Sequence, residues 1–473
     1  MTEIPTNSSL TTLGSQSHSP KNLALAVHSE LLNRNISPPP LEALIELFES
    51  MYFASLKTEE SRPVLFHVAY VDPQKPDPNP PKTLVHDRWS CVRLSPPIAL
   101  GSTNFVKIAP ASDPRTSSFA VYHDTNGHLT VWGLIDQGNS YHDYVNFDSE
   151  SGPERPGVFQ ASITGIGHLV AYIGYQKVAE LKLNKLVRTA IDVFQSGKIR
   201  GALEAGIQTH FASLQAGWPE EFPPDSNDWQ QYVTENWLAA LRRLLLRVQN
   251  IRHGGAFLIT PNQTDKGLLV KHRIAYNRLR TALQRHSVTT AEHVIAGEII
   301  GDEYMEKKNV EDMPIALYVD EWIAGNDLEE IRNELGGTIW FISLLTRVDG
   351  LVLLNQNLEV QGFGVEITVG EEPSDIYAAG DAWATDSLLR KVDYQQYGTR
   401  HRSMMRYCAK YPGSVGFVIS QDGDVRVMTK VDDRLVVWEN IQLQLPKFVS
   451  RQSPKRRRRK RLRKRAGAPV VDV

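Results

Sequence analysis

The side chains with the greatest chemical potential lie between Val348 and Ser403. An Asp-Gly step at Asp349-Gly350 stands directly before the apolar run Leu351-Val352-Leu353-Leu354, and Gly-Thr-Arg-His-Arg-Ser spans Gly398 to Ser403. The first stretch places a carboxylate beside a tight turn at the entrance of a buried strand. A sheet edge holds such a group more rigidly than a loop would, which suits a ligand for a hard divalent cation. The second stretch puts Arg400, His401 and Arg402 in the first turn of a helix capped at Thr399, where unpaired N–H groups and the helix dipole attract an anion. Cations at that end oppose the dipole unless an anion is present. Together the two stretches are the parts of a polyphosphate and metal site. Taken singly they say less, because an Asp-Gly step is usually an ordinary turn and a basic triplet is more often surface decoration.

The elements around these residues must bring them together. Leu351 to Leu354, a turn at Asn355-Gln356-Asn357, and Leu358 to Ile367 predict a hairpin with buried strands. The helix from Thr399 places Met404, Met405 and Cys408 on its inner face and stops before Pro412-Gly413. Phe417-Val418-Ile419, the turn Ser420-Gln421-Asp422-Gly423 and Val425-Arg426-Val427 form a second hairpin. If both hairpins share a sheet, Asp349, the Arg400 to Arg402 turn and the Ser420 to Asp422 turn meet at one rim. Upstream, Trp237 to Val248 reads as an amphipathic helix leading through Gly254-Gly255 into a buried strand ending at Thr260. Val270 to Leu283 reads as a helix, Ile315 to Val319 as a strand, and a further helix runs from Asp327 to the Gly336-Gly337 stop.

The first part of the chain is organised differently. Residues 1–21 are poor in apolar side chains and predict disorder. Two short helices, separated by Pro38-Pro39-Pro40, precede strand-like segments, of which Phe119 to Tyr122 and Leu129 to Trp132 flank the hairpin turn Asn126-Gly127. Residues 22–185 read as one α+β domain without a catalytic constellation. Its polar residues His123, Asp124, His128, Asp136 and His142 are candidate small-molecule ligands, or else polar loop residues around a hairpin. Residues 186–228 read as helix and a Pro-rich linker, 229–435 as a second domain, and 436–473 as a basic disordered tail.

Composition is that of a soluble globular protein, and no run approaches the roughly 18 apolar residues of a membrane span. Cys91 and Cys408 are far apart and lack metal-ligand spacing. A cytoplasmic protein is the simplest expectation. The formal net charge of -2 conceals an asymmetry, since every residue from Lys455 to Arg465 except Leu462 is Lys or Arg. Such a tail fits nucleic acid or an anionic membrane through sequence-independent attraction. It fits a solubilising end as well.

The order of these motifs resembles the diadenylate cyclase domain of bacterial DisA-like proteins: the Gly-Gly-Ala strand from Gly254, the Asp-Gly hairpin, GTRHRS from Gly398, and Val-Ile-Ser-Gln-Asp-Gly from Val418. The likeness covers roughly residues 229–435, and the N-terminal part looks like the DACNV sensor domain found upstream of such domains. The resemblance implies an α/β (α+β) fold with a mixed central sheet flanked by helices, preceded by a smaller α+β sensor domain. It implies condensation of two ATP molecules into cyclic di-AMP and two pyrophosphates, with Mn²⁺ or Mg²⁺. Carried over by position, Asp349 is the metal ligand, with Asp422 as a second candidate. Gly350 allows close backbone approach to nucleotide, and Arg400, His401 and Arg402 hold the triphosphate. Thr399, Ser403, Leu351, Ser420 and Gln421 line the substrate. Two subunits must stand face to face, because each 3′-hydroxyl attacks the other ATP. The sequence departs from the family in having Leu351 where a small residue is expected and Gln421 where an acidic one is. The alternative implied by these departures keeps the fold and loses the reaction, leaving a receptor for ATP or a cyclic dinucleotide.

Overall fold

The computed structural model describes residues 17–75, 89–124, 126–138, 142–143, 146–147, 158–174, 176–187, 190–214, 217–218, 227–261, 266–305 and 313–444. The chain divides into two compact units, the first extending to Ala190 and the second running from Ile191 to Gln444. Both mix helix and sheet, so the fold is α+β. The basic run 455–465 and the prolines at 219–224 lie outside the described residues.

The first unit opens with helices α1 (Pro20–Asn33) and α2 (Leu41–Ser55). Pro20 begins α1 where its missing N–H costs nothing, and the Ser19 N–H donates to Asn22 Oδ1 at 2.8 Å. Leu44, Leu47, Phe48 and Met51 form the buried stripe of α2. After the two-residue strands β1 (Thr58–Glu59) and β2 (Arg62–Pro63) come β3 (Phe66–Tyr70), β4 (Ser90–Ala99), helix α3 (Ser102–Ile108), β5 (Ser117–His123) and β6 (Leu129–Asp136). The unit ends with β7 (Phe159–Gly165), β8 (His168–Ile173), β9 (Gln176–Lys182) and β10 (Lys185–Val187). Eight of these strands form one sheet in the order β10-β9-β8-β7-β3-β5-β6-β4, in which β3 and β5 are parallel. The three helices bury one face of it through Leu23, Val27, Leu47, Phe48, Met51 and Phe105, packed on Phe66, Val68, Phe119 and Ala161.

The second unit contains α4 (Lys198–Ala202), α5 (Glu204–Leu214), α6 (Asn227–Ile251), α7 (Arg278–Ile299), α8 (Ile315–Leu345) and α9 (Thr399–Lys410). Its strands are β11 (Gly255–Thr260), β12 (Leu268–Tyr276), β13 (Leu351–Asn355), β14 (Val360–Ile367), β15 (Ile376–Ala379), β16 (Leu389–Lys391), β17 (Val415–Ile419), β18 (Val425–Val431) and β19 (Arg434–Trp438). They form a mixed sheet in the order β12-β14-β13-β11-β17-β18-β19-β15-β16, with β11 parallel to β13 and β15 parallel to β19. On one face, Leu258, Leu351, Leu353, Val418 and Met428 pack under Met404, Met405 and Cys408 of α9. Gly416 lets this helix approach closely, since a Cβ there would lie 2.4 Å from Met404 Cγ. Burial pushes the Cys408 thiol up to about 12. The opposite face buries Phe257, Val352 and Phe417, and Val248 of α6 and Thr346 both reach within 3 Å of a Cβ placed on Gly255.

Three expectations fail here. Val270 is in the edge strand β12 rather than a helix, and the helix begins only at Arg278. Ile315 to Val319 opens α8 instead of forming a strand, and that helix runs through Gly336-Gly337 to Leu345. The disordered tail expected from residue 436 does not begin there, since β19 runs to Trp438 and Ile441 bridges to Ile191 at the start of the second unit. Arg242 clamps Asp192 with two hydrogen bonds of 2.6 and 2.8 Å, and Phe194 stacks on Phe417.

Candidate functional site

Strand register brings the predicted stretches to one edge of the second sheet. Phe257 pairs with Val352 in the parallel β11–β13 ladder, which two residues earlier sets Gly255 beside Gly350. Gly255 pairs on its other side with Ile419, the last residue of β17. Asp349, the Gly254-Gly255 turn and the Ser420 to Gly423 turn therefore stand side by side, at the roughly 5 Å spacing of neighbouring strands. Arg400 reaches the same rim from α9, its Nη1 lying 3.0 Å from the Cβ position of Gly254 and the Gln421 backbone nitrogen 3.3 Å from it. Gly254 has φ +77°, so a side chain there would be strained as well as crowded.

Helix geometry separates the basic triplet, because successive residues leave a helix about 100° apart. Arg400 is half-buried and has no hydrogen-bond or ion-pair partner among the described residues. His401 turns inward, only 8% exposed, and its Nε2 accepts a hydrogen bond from Arg426 at 3.1 Å. Burial, with the guanidinium groups of Arg426 and Arg400, pushes His401 down to about 4 against an opposing pull from Asp424. His401 is thus neutral at pH 7 and accepts from Arg426, whereas the resemblance would have it hold the triphosphate. Arg402 leans over the Tyr394 ring and donates to Gln395 Oε1 at 2.9 Å. Gly398, rather than Thr399, is the N-cap, and Thr399 is the exposed first residue of the helix. Ser403 Oγ accepts from Arg406 at 3.2 Å.

Asp349 is exposed and makes no side-chain hydrogen bond or ion pair among the described residues. Gly350 has φ +117°, and a Cβ there would meet the Gly364 carbonyl carbon at 2.6 Å and the Val365 nitrogen at 2.8 Å. The neighbouring strand therefore demands this glycine, whatever binds at the rim. Leu351 is 5% exposed in the core beneath α9. Its alternation inward from Gly350 removes it from the expected substrate lining, and its bulk crowds nothing at the edge. Ser420 Oγ accepts the Asp424 N–H at 3.0 Å and shapes the turn, while Gln421 and Asp422 are exposed on it. Gln249 of α6 donates to the Gly423 carbonyl at 2.7 Å and pins the same turn.

Among the described residues, no group of three or more His, Cys, Asp or Glu is placed to hold a metal ion. A Mg²⁺ or Mn²⁺ ion bound largely through substrate phosphates and water needs only one or two protein carboxylates. An unpaired, exposed Asp349 on a rigid edge fits that donor set.

Arg426 was not singled out from the sequence. It sits between His401 and Asp424 and over the Tyr397 ring, and Tyr397 donates to Glu439 at 3.0 Å. The available signal was an arginine between two valines, Val425 and Val427, in a strand packed under the basic helix turn.

The polar candidates of the first unit are accounted for locally. Asp124 Oδ1 accepts the N–H groups of Asn126 and His128, and Asp136 accepts that of Gly138. His123 bonds to the Tyr70 hydroxyl at 2.9 Å, and Asn146 contacts His142. They are hairpin and loop residues.

Residues 34–136 match the family model described as "Probable sensor domain DACNV". No curated protein matches the chain. Among solved structures, the hypothetical membrane spanning protein from Bacillus cereus aligns with 11% identity over 51% of this chain and 91% of that one, at a TM-score of 0.22. So low a score carries no argument about either unit. No helix among the described residues is long and apolar enough to cross a membrane. The finding that bears on function is the likeness of the first unit to a sensor domain.

Proposed function

We propose that the second unit is a diadenylate cyclase, joining two ATP molecules into cyclic di-AMP under the control of the sensor-like first unit. The observation that carries this reading is the pair of unneutralised charges at one sheet edge. Arg400, at a helix N-terminus, and Asp349, about one strand away, have no partners among the described residues. An uncompensated guanidinium beside free helix N–H groups is an anion site, and an adjacent unpaired carboxylate suits the cation that accompanies a polyphosphate.

Arg400 would hold the triphosphate and stabilise charge developing at the α-phosphorus, and the backbone of the Gln421 turn would border the nucleotide. Asp349, with Asp422 as a second donor, would supply the carboxylate oxygens for Mg²⁺ or Mn²⁺. Such an ion, when bound, lowers the pKa of the attacking ribose hydroxyl. His401 orients Arg426 and keeps the helix turn seated, and Arg402 braces the 394–395 segment. One rim positions one ATP, so ring closure takes two subunits with rims opposed.

A second reading, binding without turnover, is favoured by Gln421, an amide where the resembled family has a carboxylate. Incubation with ATP and Mn²⁺ or Mg²⁺, followed by mass spectrometry, separates the two. Cyclic di-AMP from the wild type and none from Asp349→Asn is the expected outcome. Binding of ATP without product, weakened about tenfold or more by Arg400→Ala as loss of a charged hydrogen bond requires, would replace the cyclase with a receptor.

A further inference from the structure

The sheet of the first unit has two faces, and only one is accounted for by the helices. Alternation along β7 points Phe159, Ala161 and Ile163 into the helix-covered core and sends Gln160 and Ser162 to the other side. These two are 1% and 0% exposed. Among the described residues, neither the Gln160 amide oxygen, the Gln160 amide nitrogen nor the Ser162 hydroxyl has a hydrogen-bond partner. Leaving three such atoms unmade costs about 1–3 kcal/mol each. Buried polar groups of this kind are nearly always satisfied, and an exception in a well-ordered strand calls for an explanation.

Their neighbours supply one. Gln160 pairs with Ala69 on β3 and Tyr172 on β8, and Ser162 pairs with His67 and Val170 on the same strands. His67 and Tyr172, two strands apart, lean over β7 with ring planes only 13° from parallel and centroids 6.4 Å apart. That gap is much wider than the 4.0 Å of the Tyr122–His123 stack in the same sheet. It lies within the range of an offset aromatic pair, so the two rings present parallel faces on this side of the sheet. Ala69 and, next to it on β5, Ala120 are the small members of a buried cluster on this face that also holds Trp89 and Trp132.

We infer that this face is the ligand site of the sensor-like unit, and that it takes a small, uncharged, planar heterocycle with a hydrogen-bond donor and acceptor side by side, the chemistry of a nucleobase edge. The Gln160 amide offers the matching acceptor and donor, Ser162 adds a hydroxyl, and the parallel His67 and Tyr172 rings offer aromatic faces beside them. β7 presents no formal charge on this face, and the Glu180 carboxylate two strands along is already paired with His168 and Lys177, which matches an uncharged ligand. This inference rests on the sensor reading of the first unit and is independent of the cyclase reading of the second. Gln160 and Ser162 lie beyond the matched residues 34–136 but belong to the same sheet.

The test uses the full chain with free adenine, guanine, cytosine and uracil in thermal-shift and calorimetric titrations. At least one base should raise Tm by a few degrees at concentrations well above its Kd, with Arg400→Ala leaving that shift intact. Gln160→Met keeps side-chain length and removes the amide, and Ser162→Ala removes the hydroxyl. Gln160→Met should raise Tm without ligand, because two unsatisfied groups disappear, and should abolish the shift; Ser162→Ala should weaken binding severalfold. The proposal is overturned if no base shifts Tm, if the shift survives Gln160→Met, or if Gln160→Met lowers the ligand-free Tm. The last result would mean that water or protein already satisfies the amide. A shift lost only in Arg400→Ala would place base binding at the second unit and would equally reject the site.

Discussion

Arg400, His401 and Arg402 leave one helical turn in three directions, and their chemistry differs accordingly. Arg400 keeps its charge available, Arg402 spends its hydrogen bonding on Gln395, and His401 is a buried neutral acceptor. The pH consequence follows from the direction of the His401 shift. Its pKa in the folded chain, about 4, lies below the unfolded value near 6.5. Between those values the unfolded chain binds the extra proton, so stability falls as pH drops from about 6.5 towards 4. A shift of this size corresponds to something on the order of 3 kcal/mol. His210, pushed down to about 4 by burial and the Arg280 charge, acts in the same direction. In urea titrations His401→Gln, which still offers Arg426 an acceptor, should show a smaller loss of midpoint from pH 7 to pH 5 than the wild type. At pH 7 it should bind ATP within a fewfold of wild type. A collapse of ATP binding at neutral pH would return His401 to the role of a phosphate contact.

At the scale of elements, the placement of α9 decides whether Arg400 reaches the rim. Its seat is Gly416, where a Cβ would lie 2.4 Å from Met404 Cγ and 2.5 Å from its sulfur. Gly416→Val should cost about 3 kcal/mol as an overpacked core. It should also displace the helix enough to reduce turnover by roughly tenfold to a hundredfold, although position 416 lies away from the rim. Circular dichroism melts read the first effect and product formation the second; full activity at unchanged Tm would show that the helix has room to spare. The elements differed in how well their residues announced them. The hairpins around Asn355 and Gly423 and the helix after Gly398 were legible because each joins a clear period to a turn or capping signal. Ile315 to Val319 misled because a short apolar run has no period long enough to tell strand from helix. In the structure it opens an exposed helix turn, Ile315 being 80% and Tyr318 55% exposed. The edge strand β12 misled for the opposite reason, since Lys271, His272 and Arg273 give it the polarity of a solvated helix. Arg426 and the buried polar side chains at Gln160 were hidden because one depends on which helix packs over its strand and the other on which strands become neighbours, and contacts across 25 or about 90 residues leave no local mark.

At the scale of the whole molecule, the two units respond to acid through different groups. In the first unit, burial pushes Glu180 up, but the hydrogen bond and charge of His168 and the charge of Lys177 outweigh it and hold the carboxyl at about 2. Its contribution is complete above the unfolded value of about 4.5 and is lost only as pH falls from there towards 2. The buried histidines of the second unit begin to withdraw support already below about 6.5. Each unit has its own hydrophobic core. Scanning calorimetry at pH 5 should therefore show a lower transition for the second unit separating from that of the first, with the two closer together at pH 7. A single transition moving as one body at both values would reject this division.

The seating of α9 over Gly416 also fixes what the chain does in the presence of an electrophile. Cys408 lies fully buried beneath that helix, its thiol held in the unreactive protonated form, whereas Cys91 on β4 is partly exposed in the other unit. An alkylating reagent at neutral pH must wait for the second unit to open before it can reach Cys408, while Cys91 needs no such event. With only two thiols in 473 residues, one in each unit, the chain carries its own clock: the slow fraction of thiol modification counts openings of the very core that holds Arg400 at the rim.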